Sequence, residues 1–128
     1  MRESRLFCTL PEYVCTPDGM AVDRHGNLVL SCPNYADDSI SGCVVRIDKE
    51  GHVRKWFDVP VHPETGVARN MGIAFDDEWN LYLCDNQGWS EREELNTWSI
   101  LTVSGSEAGT CTSHRAICIR SGGRMESW

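Results

Sequence analysis

The sequence predicts an all-β fold, a partial β-propeller with one complete four-stranded blade and parts of its neighbours. Three observations predict it: a hairpin motif that recurs at a blade-like spacing, two further strand-like runs between the copies, and a long connection before the second copy. Gly19-Met-Ala-Val-Asp23-Arg-His-Gly-Asn27-Leu-Val-Leu30 aligns without a gap on Gly72-Ile-Ala-Phe-Asp76-Asp-Glu-Trp-Asn80-Leu-Tyr-Leu83, and Asp23 lies 53 residues before Asp76.

Each copy reads as two short strands joined by a tight turn. Met20–Val22 and Ile73–Phe75 are apolar with β-branched or aromatic members, and the D-x-x-x-N segments carry residues that turns prefer. The hairpins are expected at 20–31 and 73–84. Gly26 suits a positive φ before Asn27, whereas Trp79 holds that slot in the second copy and must be strained or differently turned. Between the hairpins, residues 42–48 and 52–59 flank the turn Lys49-Glu-Gly51 and alternate partially, so they read as third and fourth strands near 44–47 and 53–57. The connection from Pro60 to Asn70 is long enough to cross to a next blade. A weaker third copy is read at 116–125, with Arg120 in the place of the hairpin Asp and Ile117 and Ile119 in apolar slots, and 98–103 reads as a strand. The expected organisation is thus 1–90 as blades and 91–128 as a divergent or truncated blade that is poorly ordered.

Val22, Leu28, Leu30, Val45, Ile47, Ile73, Phe75, Leu81 and Leu83 are expected to face sheet interiors or neighbouring blades. A blade cannot cover both faces of its own sheet, so part of this surface should stay exposed, which would favour self-association.

Bulk composition narrows the function classes. The 128 residues carry 41% apolar residues and a formal charge of −7, which disfavours a phosphate backbone or an anionic lipid surface as the main partner. No apolar run approaches a membrane span and the first residues lack an apolar signal centre, so the expectation is a soluble, cytoplasmic protein without nucleic-acid or membrane partners. The seven cysteines include no C-x-x-C pair and are read as reduced, scattered and structural, not zinc-binding. His25, His52, His62 and His114 fall in turns or loops and are read as solvated. There is no P-loop, G-x-G-x-x-G or G-x-S-x-G, so phosphate-binding and serine-hydrolase readings lose their usual support.

Residues 16–32, then Val44-Val-Arg-Ile-Asp-Lys-Glu-Gly51, then Met71-Gly-Ile-Ala-Phe-Asp76 and Asn80-Leu-Tyr-Leu-Cys-Asp-Asn86 resemble the SMP-30/gluconolactonase/LRE-like family, over roughly residues 11–90. Related propellers, such as NHL and strictosidine-synthase-like proteins, share the hairpin. The resemblance implies a six-bladed propeller with a divalent cation, commonly calcium, in its channel, and hydrolysis of lactones or related esters. It implies oxygen ligands placed five residues before each hairpin Asp. That position is Asp18 in the first copy, Met71 in the second and Arg115 in the third. Asp18 is therefore the candidate metal ligand, with Asn70 one place from the expected position, although Pro-Asp-Gly is also a common turn. Asn34, Asp85 and Asn86 are the candidate substrate-binding residues, in loops expected to open on the same face as Asp18; Asp85, Asn86 and Gly88 also suit simple chain reversal. No catalytic residue is assigned.

Two readings follow from different classes. One is a fragment resembling a metal-dependent lactonase or esterase that takes a small-molecule substrate and is inactive alone. The other is a non-catalytic propeller module that binds a ligand or partner through its loops.

Overall fold

A computed structural model describes residues 2–61, 66 and 68–85, and beyond these the backbone alone of residue 86 and of the strands within 96–103, 113–119 and 125–127. The described residues are all-β, with no helix among them. The order is β1 (Met20–Val22), β2 (Leu28–Cys32), β3 (Cys43–Ile47), β4 (Val53–Asp58), β5 (Asn70–Phe75), β6 (Leu81–Asn86), β7 (Asn96–Val103), β8 (Ser113–Ile119) and β9 (Met125–Ser127). They form two antiparallel meanders, β1-β2-β3-β4 and β5-β6-β7-β8-β9. Both expected hairpins and both expected intervening strands are present. Trp98–Val103 lies inside β7.

The third copy is a correction. Residues 116–119 do not open a new repeat. They belong to β8, which pairs with β7 as the fourth strand of the second sheet, in the register Trp98↔Ile117 and Ser99↔Ala116. Alternating Ile117 and Ile119 mark a strand, but period alone does not say where in a sheet that strand sits. Arg115, opposite Ile100 in this ladder, is therefore separated from β5 by two strands and is not a third counterpart of Asp18.

The turns that close the hairpins share one chemistry. In the first, Asp23 Oδ1 accepts from the amides of His25 and Asn27, both at 2.9 Å, and Oδ2 accepts from the Asn27 side chain at 3.1 Å. Asp76 repeats this with Glu78, Asn80 and the Asn80 amide group. The β3–β4 turn is a third example that the repeat alignment missed. Asp48 accepts from the amides of Glu50 and His52, and His52 Nδ1 stands 2.9 Å from its Oδ2, where Asn stands in the other two. Each turn needs a left-handed residue just before its last position: Gly26 at φ 82°, Gly51 at 88° and Trp79 at 63°. Trp79 thus keeps the turn and accepts the strain, with its ring 5.7 Å from that of Phe75.

The sheets pack face to face on Val29, Val44, Phe57, Val59, Ala68, Leu81 and Leu83, with Ile73 and Phe75 at the margin. Leu81 and Leu83 are fully buried, so truncating either to Ala costs about 2–5 kcal/mol. Close approach requires glycine at two places. A Cβ on Gly19 would stand 2.6 Å from the Met71 carbonyl, and one on Gly42 would meet the Ala68 carbonyl at 2.7 Å. The start of β1 therefore lies against the start of β5.

The other face of the first sheet has a second cluster, Val14, Leu30, Cys32, Cys43, Val45 and Ile47. It is covered in part by Cys8, Leu10 and Tyr13 of the leading segment. This cover stops short of β1. Met20 and Val22 remain 60% and 55% exposed, so of the nine apolar positions expected to face sheet interiors or neighbouring blades, Val22 is the one left exposed. The rest of that set is buried or half-buried, in keeping with an apolar face that is only partly covered.

Candidate functional site

Strand direction divides the polar groups between two ends. The three Asp-capped turns follow β1, β3 and β5, whereas Asp18, the 33–42 loop and the Asp85 end of β6 lie at the opposite end.

At that opposite end Asp18 sits just before β1. Its backbone amide donates to the Ser31 carbonyl at 2.9 Å and its side chain is exposed. Tyr35, 42% exposed, lies within electrostatic reach of Asp18, Arg69 and Asp85. Burial pushes the Tyr35 phenol up from its ordinary value, the Asp18 and Asp85 carboxylates push the same way, and the Arg69 guanidinium opposes them. Asp85 is fully buried and accepts the Arg69 amide at 2.7 Å. Asp18 and Asp85, proposed from separate repeats, are therefore brought to one end of the molecule. Asn86 is the last residue of β6, and its side chain lies outside the described residues.

Asn34 is placed differently from a surface ligand contact. It is fully buried at φ 56°. Its Oδ1 accepts from the amides of Cys15 at 3.1 Å and Thr16 at 3.4 Å, while Nδ2 donates to the carbonyls of Tyr13 at 3.1 Å and Ser41 at 2.8 Å. One amide thus ties the leading segment to both ends of the 33–42 loop. Asn tolerates the left-handed conformation better than most residues, which suits it to this place.

Two residues of this end were missed as positioning groups. Arg69 Nη1 donates to the carbonyls of Pro33 at 2.9 Å and Ile40 at 3.3 Å, joining the loop of the first sheet to the start of the second. Asn70 is fully buried, and its Nδ2 donates to Ser31 Oγ at 2.7 Å and the Cys43 carbonyl at 3.0 Å. The ladder shifts register between Asn70 and Ile73, so one extra residue enters β5 there.

The described residues that could hold a metal ion lie at the turn end. Asp48, Glu50 and His52 have ligand atoms all within 4.8 Å of one another. His52, expected as a solvated turn residue, is exposed, yet its ring nitrogen 2.9 Å from Asp48 makes it a candidate ligand. The His52 amide, burial acting against it, the His52 ring and the Glu50 amide together hold the Asp48 carboxyl below its ordinary value. Asp18 is not in this group.

No helix among the described residues is long and apolar enough to cross a membrane. No protein-family model matches the sequence, and no curated protein matches it.

Proposed function

We propose that this chain is a portion of a metal-dependent hydrolase of the SMP-30/gluconolactonase type, a partial propeller acting on lactones or related esters and inactive by itself. One observation carries the reading: the starts of β1 and β5 stand side by side, and Asp18, Tyr35, Arg69 and Asp85 share that end. Two successive antiparallel meanders suit adjacent blades, and the exposed Met20 and Val22 suit a face that a further blade or a second copy would cover. The metal would be a hard cation, calcium by the resemblance, with Asp18 as a ligand. Calcium takes about six to eight oxygens, which one exposed carboxylate does not provide. Hence inactivity of the chain alone is part of the reading.

Calorimetric titration with calcium tests it. The expected result is weak binding that Asp18→Asn abolishes and His52→Asn leaves intact, with no turnover of a simple lactone. Binding indifferent to Asp18→Asn would remove the proposed site. Metal-dependent turnover abolished by Asp18→Ala would overturn the inactivity.

A second reading, a non-catalytic binding module, is favoured by the engagement of Asn34 and Asp85 with the chain's own backbone. Groups so occupied hold a loop in shape and leave recognition to Tyr35 and its neighbours.

A further inference from the structure

We propose that Cys32 and Cys43 are a redox pair that closes to a cross-strand disulfide, a modification site independent of any hydrolase reading. The two residues face each other directly in the β2–β3 ladder, and both are buried, at 0% and 1% exposure. They are not scattered in space, as their sequence separation suggests. Ser31 directs its amide to the Gly19 carbonyl just before β1, so Cys32, one residue on, directs its backbone groups to β3. The cysteines thus form a hydrogen-bonded pair with a Cα separation of about 5.5 Å, inside the roughly 4.4–6.8 Å that a disulfide spans. Cross-strand closure at such a pair strains the bond, and strained disulfides are the readily reduced ones.

The two thiols act on each other. The neighbouring Cys32 thiol holds the Cys43 thiol below its ordinary value against burial; Lys55 and the Asn34 amide group, 3.9 Å away, add to this. Cys43, together with burial, pushes the Cys32 thiol up, and the Cys32 Sγ donates to the Leu30 carbonyl at 3.6 Å. Cys43 is therefore the sulfur that attacks and Cys32 the one that resolves.

With hydrogen peroxide as oxidant, the Cys43 thiolate attacks one peroxide oxygen. The S–O bond forms, the O–O bond breaks and hydroxide leaves, giving a sulfenic acid. The Cys32 sulfur then displaces the hydroxyl group. The S–S bond forms, the S–O bond breaks, and the thiol proton of Cys32 leaves with that oxygen as water. In sum, two thiols and one peroxide give one disulfide and two waters. The new bond closes the loop that carries Asn34 and Tyr35.

Peptide mapping of the full chain tests this without any variant. Trypsin cuts after Arg24 and Arg46 and nowhere between, so both cysteines fall in one peptide, while Cys15 falls in another. After brief peroxide treatment of the folded protein, quenching and alkylation, the 25–46 peptide should be lighter by two hydrogen atoms and carry no alkyl groups. Dithiothreitol should restore both sites. Exposed Cys84 reports that oxidant and alkylating agent reached the protein. Two alkylated cysteines in the 25–46 peptide while Cys84 is oxidised would overturn the proposal. So would Cys32 joined to Cys15.

Discussion

Replacing Asn34 by Ala separates a residue that builds the site from one that only borders it. The substitution removes two amide-to-Oδ1 bonds, at 3.1 and 3.4 Å, and two Nδ2-to-carbonyl bonds, at 3.1 and 2.8 Å. At about 1 kcal/mol net for each bond, the loss is roughly 3–4 kcal/mol. Alanine at φ 56° adds about 1 kcal/mol of backbone strain. Against a total stability on the order of 5–15 kcal/mol, a loss of that size is large. Asn34→Gly relieves the strain but not the lost bonds, so it should be more stable than Asn34→Ala by about 1 kcal/mol. Equilibrium urea unfolding, followed by tryptophan fluorescence, measures all three proteins. If Asn34→Gly unfolds within about 1 kcal/mol of the parent, the amide is not a structural tie and its candidacy as a ligand contact revives.

Other expectations concern the turns. Gly51→Ala should destabilise more than Gly26→Ala, by about 1 kcal/mol in urea unfolding, because both positions have positive φ but only the Gly51 Cβ meets backbone, the Phe7 carbonyl at 2.8 Å. The Gly26 Cβ meets the movable Lys49 chain. Burial pushes the Asp23 carboxyl up, but the Asn27 amide, the Asn27 side chain, the His25 amide and Arg46 prevail and hold it below its ordinary value. A depressed folded value means stability present above the unfolded pKa, about 3.9, and lost as pH falls below it through the folded value. Acid unfolding of Asp23→Asn should therefore show a shallower slope below pH 4 than the parent. His52→Asn should leave the thermal midpoint unchanged, since Asn fills that place in the other turns, yet weaken zinc binding measured by competition with a chromogenic chelator. Unchanged zinc affinity would remove His52 from the metal-competent group.

The hairpins were legible because local pattern and turn chemistry agree. Apolar alternation marks β1, β2, β5 and β6, and the Asp of each turn captures the amides that follow it. The turn at Lys49-Glu-Gly51 was legible as a turn, but its kinship with the other two escaped because His replaces Asn at its last position, and a match on residue identity does not see that an imidazole nitrogen can stand in for an amide. Asn70 escaped as a tie between the sheets because its partners, Ser31 and Cys43, meet it only in three dimensions. The place of β8 depends on which strands pair across long separations, and strand period carries no information about that. Asn34 was legible as a loop residue near the site, but not as a buried clamp. Its partners, Tyr13, Cys15, Thr16 and Ser41, converge only in three dimensions.

The two ends of the molecule have different chemical capacity, and the hydrogen bonds say why. At the turn end Asp23 and Asp76 spend both carboxylate oxygens on amides and side chains of their own turns. Asp48 does the same, so a cation there competes with the His52 ring for the Asp48 oxygen and must repay the bond it breaks. At the other end Asn34, Arg69 and Asn70 bind the loop and the two sheets together, which leaves Asp18 and Tyr35 exposed on a fixed frame. A site that orients a ligand needs side chains free of internal duty, held by neighbours that are not. By that criterion the Asp18 end suits recognition better than the Asp48 group, whose side chains already serve a turn.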